Sequence, residues 1–215
     1  MTHERRESLR KRALFLSWFT VCYNIAEGLV SIVAGALAGS VALVGFGIDS
    51  AVESISGAVM VWRFTGRHRS HEVEEKVERR AERFVAVSFF VFGAYVAFES
   101  IKKLATGEAP EHSLVGIIVA LVSLVSMPLL YRAKTKVGRE LRSGSLLADA
   151  KETLACAFLS VALLVGLGLN YVWGIWQADP VAGLVIVAWL FKEGWEILTE
   201  EEEPGDEDEA AADTD

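Results

Sequence analysis

The stretch 45-GFGIDSAVES-54 is the most informative part of this chain, because it places two carboxylates, Asp49 and Glu53, inside an apolar run. Residues four apart are about one helical turn apart, so both side chains lie on one face of a helix. The surrounding run, residues 42–64, is long enough to cross the hydrocarbon core of a bilayer. A carboxylate at that depth costs on the order of 3 kcal/mol. The pair therefore predicts a cation site or a proton relay inside a membrane.

Apolar blocks of similar length recur along the chain, in which 52% of the residues are hydrophobic. Such blocks are typical of membrane-spanning helices rather than of a soluble core. We therefore predict an all-α integral membrane protein with six transmembrane helices. The predicted spans are residues 14–36, 42–64, 84–104, 114–133, 146–171 and 180–198.

Little of the sequence lies outside these spans, which indicates a single membrane domain over residues 14–198. Residues 1–13 are predicted to form a basic cytoplasmic N-terminus. Residues 199–215 are rich in Asp and Glu and contain no Lys or Arg, so we predict a disordered acidic tail whose simplest role is solvation. The net charge of −8 comes mainly from this tail.

Lysine and arginine are distributed unevenly between the two ends of the predicted spans. One end carries basic residues before span one, between spans two and three, and between spans four and five, whereas the other carries only Lys102 and Lys103. By the positive-inside rule, both termini are predicted to be cytoplasmic, in what we expect to be a prokaryotic cytoplasmic membrane. The basic group between spans four and five comprises Lys134, Lys136, Arg139 and Arg142.

Polar side chains from three predicted spans fall at similar depth. Asp49 and Glu53 bracket the middle of span two. Span five brings Glu152 and Cys156, again four residues apart, to the same level, with Asp149 about one turn nearer the cytoplasm. Span one adds Asn24 and Glu27 near its middle. This convergence predicts a polar cavity, with Asn24 and Glu27 as cavity or relay residues.

The donor types favour a divalent metal. Carboxylate oxygens suit hard and borderline ions, and a thiolate favours a softer ion such as zinc. The predicted metal residues are Asp49, Glu53, Glu152, Cys156 and Asp149. Cys156 could equally be a small buried apolar residue, and Asn24 and Glu27 could instead form hydrogen bonds between helices. His68 and His71 are either solvated loop residues or further ligands.

Four segments together resemble the transmembrane domain of the cation diffusion facilitator family. They are NIAEGLVSIVAGALAGSVAL, GFGIDSAVESISGAVMVWR, LLADAKETLACAFLS and ADPVAGLVIVAWLFKEGWEIL. The resemblance implies a six-helix transporter of divalent metals such as zinc, cobalt, iron or manganese, usually a homodimer and commonly driven by proton antiport. The family's acidic pair on the second helix corresponds to Asp49 and Glu53. On the fifth helix, Glu152 replaces the usual His and Cys156 the usual Asp.

The resemblance also implies a compact form that lacks the family's cytoplasmic C-terminal domain, a layout similar to that of the transmembrane protein 163 group. We therefore expect a metal/proton antiporter that exports the ion from the cytoplasm, with Zn²⁺ as the expected substrate. We expect no enzymatic activity, no cofactor and no nucleic-acid partner; the lipid bilayer and a second copy of the chain are the expected partners. A non-transporting membrane scaffold that retains the fold is the alternative. An intramembrane serine hydrolase, suggested by residues 54–57, is disfavoured because no histidine lies at span depth to act as the base.

Overall fold

The computed structural model describes the backbone of residues 3–66 and 71–200, and this part of the chain is a bundle of six α-helices. Each predicted span lies inside one helix, which confirms the all-α, six-helix prediction. The helices are α1 (His3–Ala38), α2 (Val41–Thr65), α3 (His71–Thr106), α4 (Leu114–Leu141), α5 (Gly144–Trp173) and α6 (Ala178–Glu200).

Helix α2 is central to the bundle. It packs most extensively against α1, and it also contacts α3, α5 and α6. Because α1 also contacts α4, and α4 packs along α5, these four helices close a ring; α3 and α6 pair with each other and lie against α2 and α5. The main core cluster draws on five of the helices, and it includes Phe46, Phe89, Met127, Leu163 and Ile186.

The α1–α2 hairpin is tight because small residues allow the two backbones to approach. Gly39 ends α1 in the left-handed region, with φ of 62°, and the amide of Ser40 donates to the carbonyl of Gly35. Ser40 then caps α2 by accepting from the amide of Leu43 at 3.1 Å. Farther along, a Cβ on Gly47 would lie 2.9 Å from the carbonyl oxygen of Gly28. The backbones of α1 and α2 therefore pass close together at this point.

Helices α1, α3 and α4 extend well beyond the predicted spans, and α3 begins at His71, before the predicted start at residue 84. The basic residues before span one continue α1 back to His3, and Arg10 donates to the carbonyls of Phe64 and Gly66 at the end of α2. Helix α4 continues past Ala133 to Leu141, so Lys134 lies inside a helix and not in a loop between spans four and five. The physical reason is that hydropathy marks the end of an apolar run, whereas α4 ends only where Arg142 turns into the left-handed region.

The outer surface of the bundle is apolar. Large hydrophobic side chains are exposed along its helices, including Phe15, Leu37, Phe98, Val125 and Phe158. Within the described residues, α1, α2, α4 and α5 are each long and apolar enough to cross a membrane. An exposed apolar surface of this extent is suited to the hydrocarbon chains of a bilayer.

Candidate metal site

Helix α2 carries the two carboxylates of the stretch 45–54 into the interior. Asp49 is 7% exposed and Glu53 is 5% exposed, and both face one cavity. Their shared direction follows from the four-residue spacing on one helix. The predicted pairing of these two residues on one helix face is what the structure has.

The cavity joins carboxylates from three helices. Asp49 and Glu53 come from α2, Glu152 from α5 and Glu193 from α6. Space for the centre of a water-sized sphere amounts to about 20 Å³, which by the usual threshold of about 10–15 Å³ is enough for a water molecule or a small ion. Like charges this close repel one another where water does not screen them, and a bound cation would relieve that repulsion. The remaining wall is apolar: Val52, Phe89, Ala155 and Trp189.

Two oxygens at this cavity have no hydrogen-bond partner within the part of the chain that the structure describes. They are Oε2 of Glu53 and Oε2 of Glu152, and both are buried. A buried oxygen left without a partner is costly, so both atoms are suited to receive an ion or a proton. Among the described residues, however, no three His, Cys, Asp or Glu side chains are grouped closely enough to hold a metal ion. The carboxylates would therefore have to move inward to coordinate a single ion.

The three predicted residues of α5 have different surroundings. Glu152 lies at the cavity with Asp49 and Glu53. Cys156 is fully buried in the main core cluster and is not part of the cavity wall. Asp149 is 2% exposed and forms a salt bridge with Lys134, whose Nζ lies 2.8 Å from Asp149 Oδ2.

A polar chain that the sequence did not reveal connects this salt bridge to the cavity. Lys134 Nζ donates to Thr153 Oγ1 at 2.8 Å, and Thr153 Oγ1 donates to Glu53 Oε1 at 2.8 Å. The sequence feature that could have indicated this contact is the short connection between α4 and α5, which consists of Arg142 and Ser143 and fixes the register of the two helices. Lys134 lies eight residues before Arg142, whereas Asp149 lies six and Thr153 ten residues after Ser143. Because α4 and α5 run in opposite directions, Lys134 is expected at a level between Asp149 and Thr153.

Glu193 is a further residue of the cavity that the sequence did not indicate. It lies in the segment LFKEGWEIL of α6, next to Lys192, where a charged pair near a helix end is typical of a solvated face. Glu193 and Trp189 are four residues apart, so they share a face, and both line the cavity. That spacing alone could have indicated an inward-facing Glu193.

The predicted residues of α1 lie beside the cavity and not in its wall. Glu27 accepts hydrogen bonds from Ser50 Oγ and from Tyr23 Oη, each at 3.0 Å, and Tyr23 Oη accepts from Ser126 Oγ at 2.8 Å. Glu27 thus connects α1 to α2 and, through Tyr23, to α4. Asn24 is fully buried close to the Glu53 carboxylate.

Some predictions fall on parts of the chain that the structure does not describe. His68 lies outside the described residues, and the side chain of His71 is likewise not described. The predicted acidic tail also lies outside them from residue 201 onward. The interpretation of these segments stays a prediction.

Comparison with known proteins assigns the domain. Residues 17–201 match the family model of the cation efflux transmembrane domain. An uncharacterized transporter of Methanocaldococcus jannaschii is 30% identical over 184 residues, covering 81% of this chain and 63% of its own length. The magnetosome protein MamB of Magnetospira sp. is 27% identical, covering 84% of this chain and 63% of its own length. The manganese efflux system protein MneP of Bacillus subtilis is 23% identical, covering 92% of this chain and 69% of its own length.

Proposed function

The chain belongs to the cation efflux family, and from that membership and the carboxylate cavity we propose that it transports divalent metal cations across a membrane. The chain spans about 63% of the length of the first two of these relatives, so their activities are no more than a guide to its own. The observation that carries the proposal is that Asp49, Glu53, Glu152 and Glu193 line one cavity, in which Asp49 and Glu53 are buried. Intramembrane carboxylates that converge in this way are typical of an ion pathway.

Zinc is the substrate we propose first, with cobalt, iron and manganese as the other members of the panel. Carboxylates alone favour no single one of these ions, and the relative in Bacillus subtilis is named for manganese efflux. A preference for zinc depends on the Cys156 thiolate, which lies one turn beyond Glu152 on α5. Because Cys156 is packed in the core, its ligation would require α5 to turn toward the cavity.

Proton antiport is the proposed driving reaction. Carboxylates must be deprotonated to bind a metal, so each binding event releases protons from the site. A cavity that opens alternately to the two sides then exchanges metal for protons. The buried Oε2 atoms of Glu53 and Glu152, which have no hydrogen-bond partner among the described residues, are the atoms that we propose exchange a proton for the ion.

We also propose a homodimer in a prokaryotic cytoplasmic membrane, with both termini inside and export as the direction of transport. The charge asymmetry supports the orientation, because the turn between α4 and α5 follows a basic helix end with Lys136 and Arg139, whereas few basic residues lie at the opposite end. The exposed apolar surface supports a bilayer environment.

A non-transporting scaffold is the alternative, and one observation favours it. The described acidic side chains do not form a preassembled metal cluster. A protein that kept the fold and lost the metal site would also lack such a cluster. Reconstituted vesicles distinguish the two functions. We expect uptake of at least one ion from a panel of Zn²⁺, Co²⁺, Fe²⁺ and Mn²⁺ under an imposed pH gradient, and slower uptake when the gradient is collapsed. Vesicles that take up none of the four ions under either condition would favour the scaffold.

A further inference from the structure

Lys134 is a buried cation one side chain removed from the cavity. Its side chain is 0% exposed, and its Nζ contacts Asp149 Oδ2 and Thr153 Oγ1, each at 2.8 Å. Thr153 in turn donates to Glu53 Oε1 at 2.8 Å. A continuous polar chain therefore runs from Lys134 to one of the carboxylates that line the cavity.

This arrangement divides the acidic residues into two groups. Asp149 is neutralised by Lys134 and does not line the cavity, whereas Asp49, Glu53, Glu152 and Glu193 do. Thr153 donates a hydrogen bond to Oε1 of Glu53, whereas Oε2 of Glu53 has no hydrogen-bond partner among the described residues. Lys134 is thus connected to the cavity in two ways, through its charge beside Asp149 and through the hydrogen bond of Thr153 to Glu53.

We propose that Lys134 is a resident countercharge that sets the affinity of the cavity for divalent cations. It withholds Asp149 from the ion and lowers the negative potential at Glu53, so that an ion binds weakly enough to be released. Lys134 is a positioning residue in this scheme, since it acts through Asp149, Thr153 and Glu53. This inference rests on the proposed cation-transport function.

The sign of the effect follows from Coulomb's law in a site that water screens poorly. Removing the positive charge of Lys134 makes the cavity more negative and strengthens the binding of any divalent cation. Removing the negative charge of Asp149 leaves the ammonium uncompensated and weakens binding. Removing both charges restores the balance. Because charge acts alike on two ions of the same valence, Zn²⁺ and Mn²⁺ affinities should change by similar factors.

The experiment is calorimetric titration of the purified full-length chain in detergent with Zn²⁺ alone and with Mn²⁺ alone. Relative to wild type, we expect Lys134→Met to bind both ions about tenfold more tightly and Asp149→Asn about tenfold more weakly. The double variant Lys134→Met/Asp149→Asn is expected to bind within about threefold of wild type. Lys134→Arg keeps the charge and should remain closer to wild type than Lys134→Met. The matched control is Lys102→Met, which removes a lysine that is exposed and paired with Glu99.

Thermal unfolding of each variant, measured in parallel, separates affinity from folding. A buried pair that has lost one partner is destabilised. Metal affinities are therefore compared only among variants that remain folded. If Lys134→Met does not remain folded, the affinities of Asp149→Asn and the double variant are compared instead. Equal Zn²⁺ affinity in wild type and all folded variants would overturn this inference and leave the proposed function intact. Failure of the double variant to recover affinity would identify Asp149 as a direct ligand and also overturn it. Absence of metal binding by the wild-type chain would overturn both proposals.

Discussion

Among single residues, Asp149 and Glu152 show that neighbours on one helix can have different surroundings. The two carboxylates are three residues apart on α5, yet only Glu152 reaches the cavity, whereas Asp149 is held by Lys134. Depth in the membrane predicted this order, because it placed Glu152 opposite Asp49 and Glu53. The partner of Asp149 was not predictable from depth, since Lys134 had the sequence context of a basic loop.

Glu152→Gln is expected to weaken Zn²⁺ binding more than Asp149→Asn does. Gln keeps the size of the side chain and removes a charge from the cavity wall, where we expect a loss of more than about tenfold in affinity. Titration of the two purified variants measures both values. If Asp149→Asn abolished binding while Glu152→Gln was silent, Asp149 and Thr153 would become the pair to test as ligands on α5.

Cys156→Asp tests the proposed preference for a softer metal. Asp is the residue that the family resemblance leads us to expect at this position, so the variant should still transport metal. Its uptake ratio of Mn²⁺ to Zn²⁺ should rise, because a carboxylate is a harder ligand than a thiolate. Competition between the two ions in vesicles measures this ratio. An unchanged ratio would mean that Cys156 is only a core residue, as its packing in the main cluster suggests.

At the scale of helices, the sequence predicted which segments are helical but not where α4 ends. Long apolar runs are a strong signal for the spans, and the observed helices contain all six of them. The end of α4 depends instead on Arg142, which adopts φ of 52°, a conformation that no hydropathy pattern encodes. The Lys134–Asp149 pair depends in turn on the register of the α4–α5 hairpin. Contacts between helices of this kind require knowledge of how the helices pack.

Gly47→Ala is expected to destabilise the bundle by loosening the α1–α2 contact. The new Cβ would lie 2.9 Å from the Gly28 carbonyl oxygen and 2.9 Å from the Ile32 amide nitrogen, so backbone atoms would have to shift. Overpacking of this kind costs about 1–3 kcal/mol. The matched control is Gly168→Ala in α5, where a Cβ meets nothing within 4 Å. A lower unfolding temperature in detergent for Gly47→Ala but not for Gly168→Ala is the predicted result; equal temperatures would show that the hairpin tolerates the extra carbon.

At the scale of the whole molecule, the ring of α1, α2, α4 and α5 and the α3–α6 pair meet at the cavity. Asp49 and Glu152 come from the ring, and Glu193 and Phe89 come from the pair. A movement of the pair relative to the ring would therefore change the cavity itself. The sequence predicted that Asp49, Glu53 and Glu152, which belong to the ring, lie at one level. It did not predict that α6 contributes Glu193, because Glu193 lies among charges that are typical of a helix end.

The orientation in the membrane is a prediction that labelling can test. In a Cys22→Ala/Cys156→Ala background, Glu108→Cys places a thiol after α3, and Gly144→Cys places one at the start of α5. Both positions are exposed, and Gly144 has open space for a side chain. With cytoplasmic termini, a membrane-impermeant thiol reagent added to intact cells should label Glu108→Cys and spare Gly144→Cys. The reverse pattern would invert the topology.

Zinc uptake by vesicles, recorded together with lumenal pH, is the decisive measurement of metal transport through the cavity on α2. Wild-type protein and the control Glu99→Ala, which removes a carboxylate paired with Lys102 away from the cavity, should both take up Zn²⁺ and change the lumenal pH. Asp49→Ala removes a cavity carboxylate and should abolish both signals. Uptake and a pH change of wild-type size in Asp49→Ala would contradict the account, because the cavity on α2 would then not be the transport site.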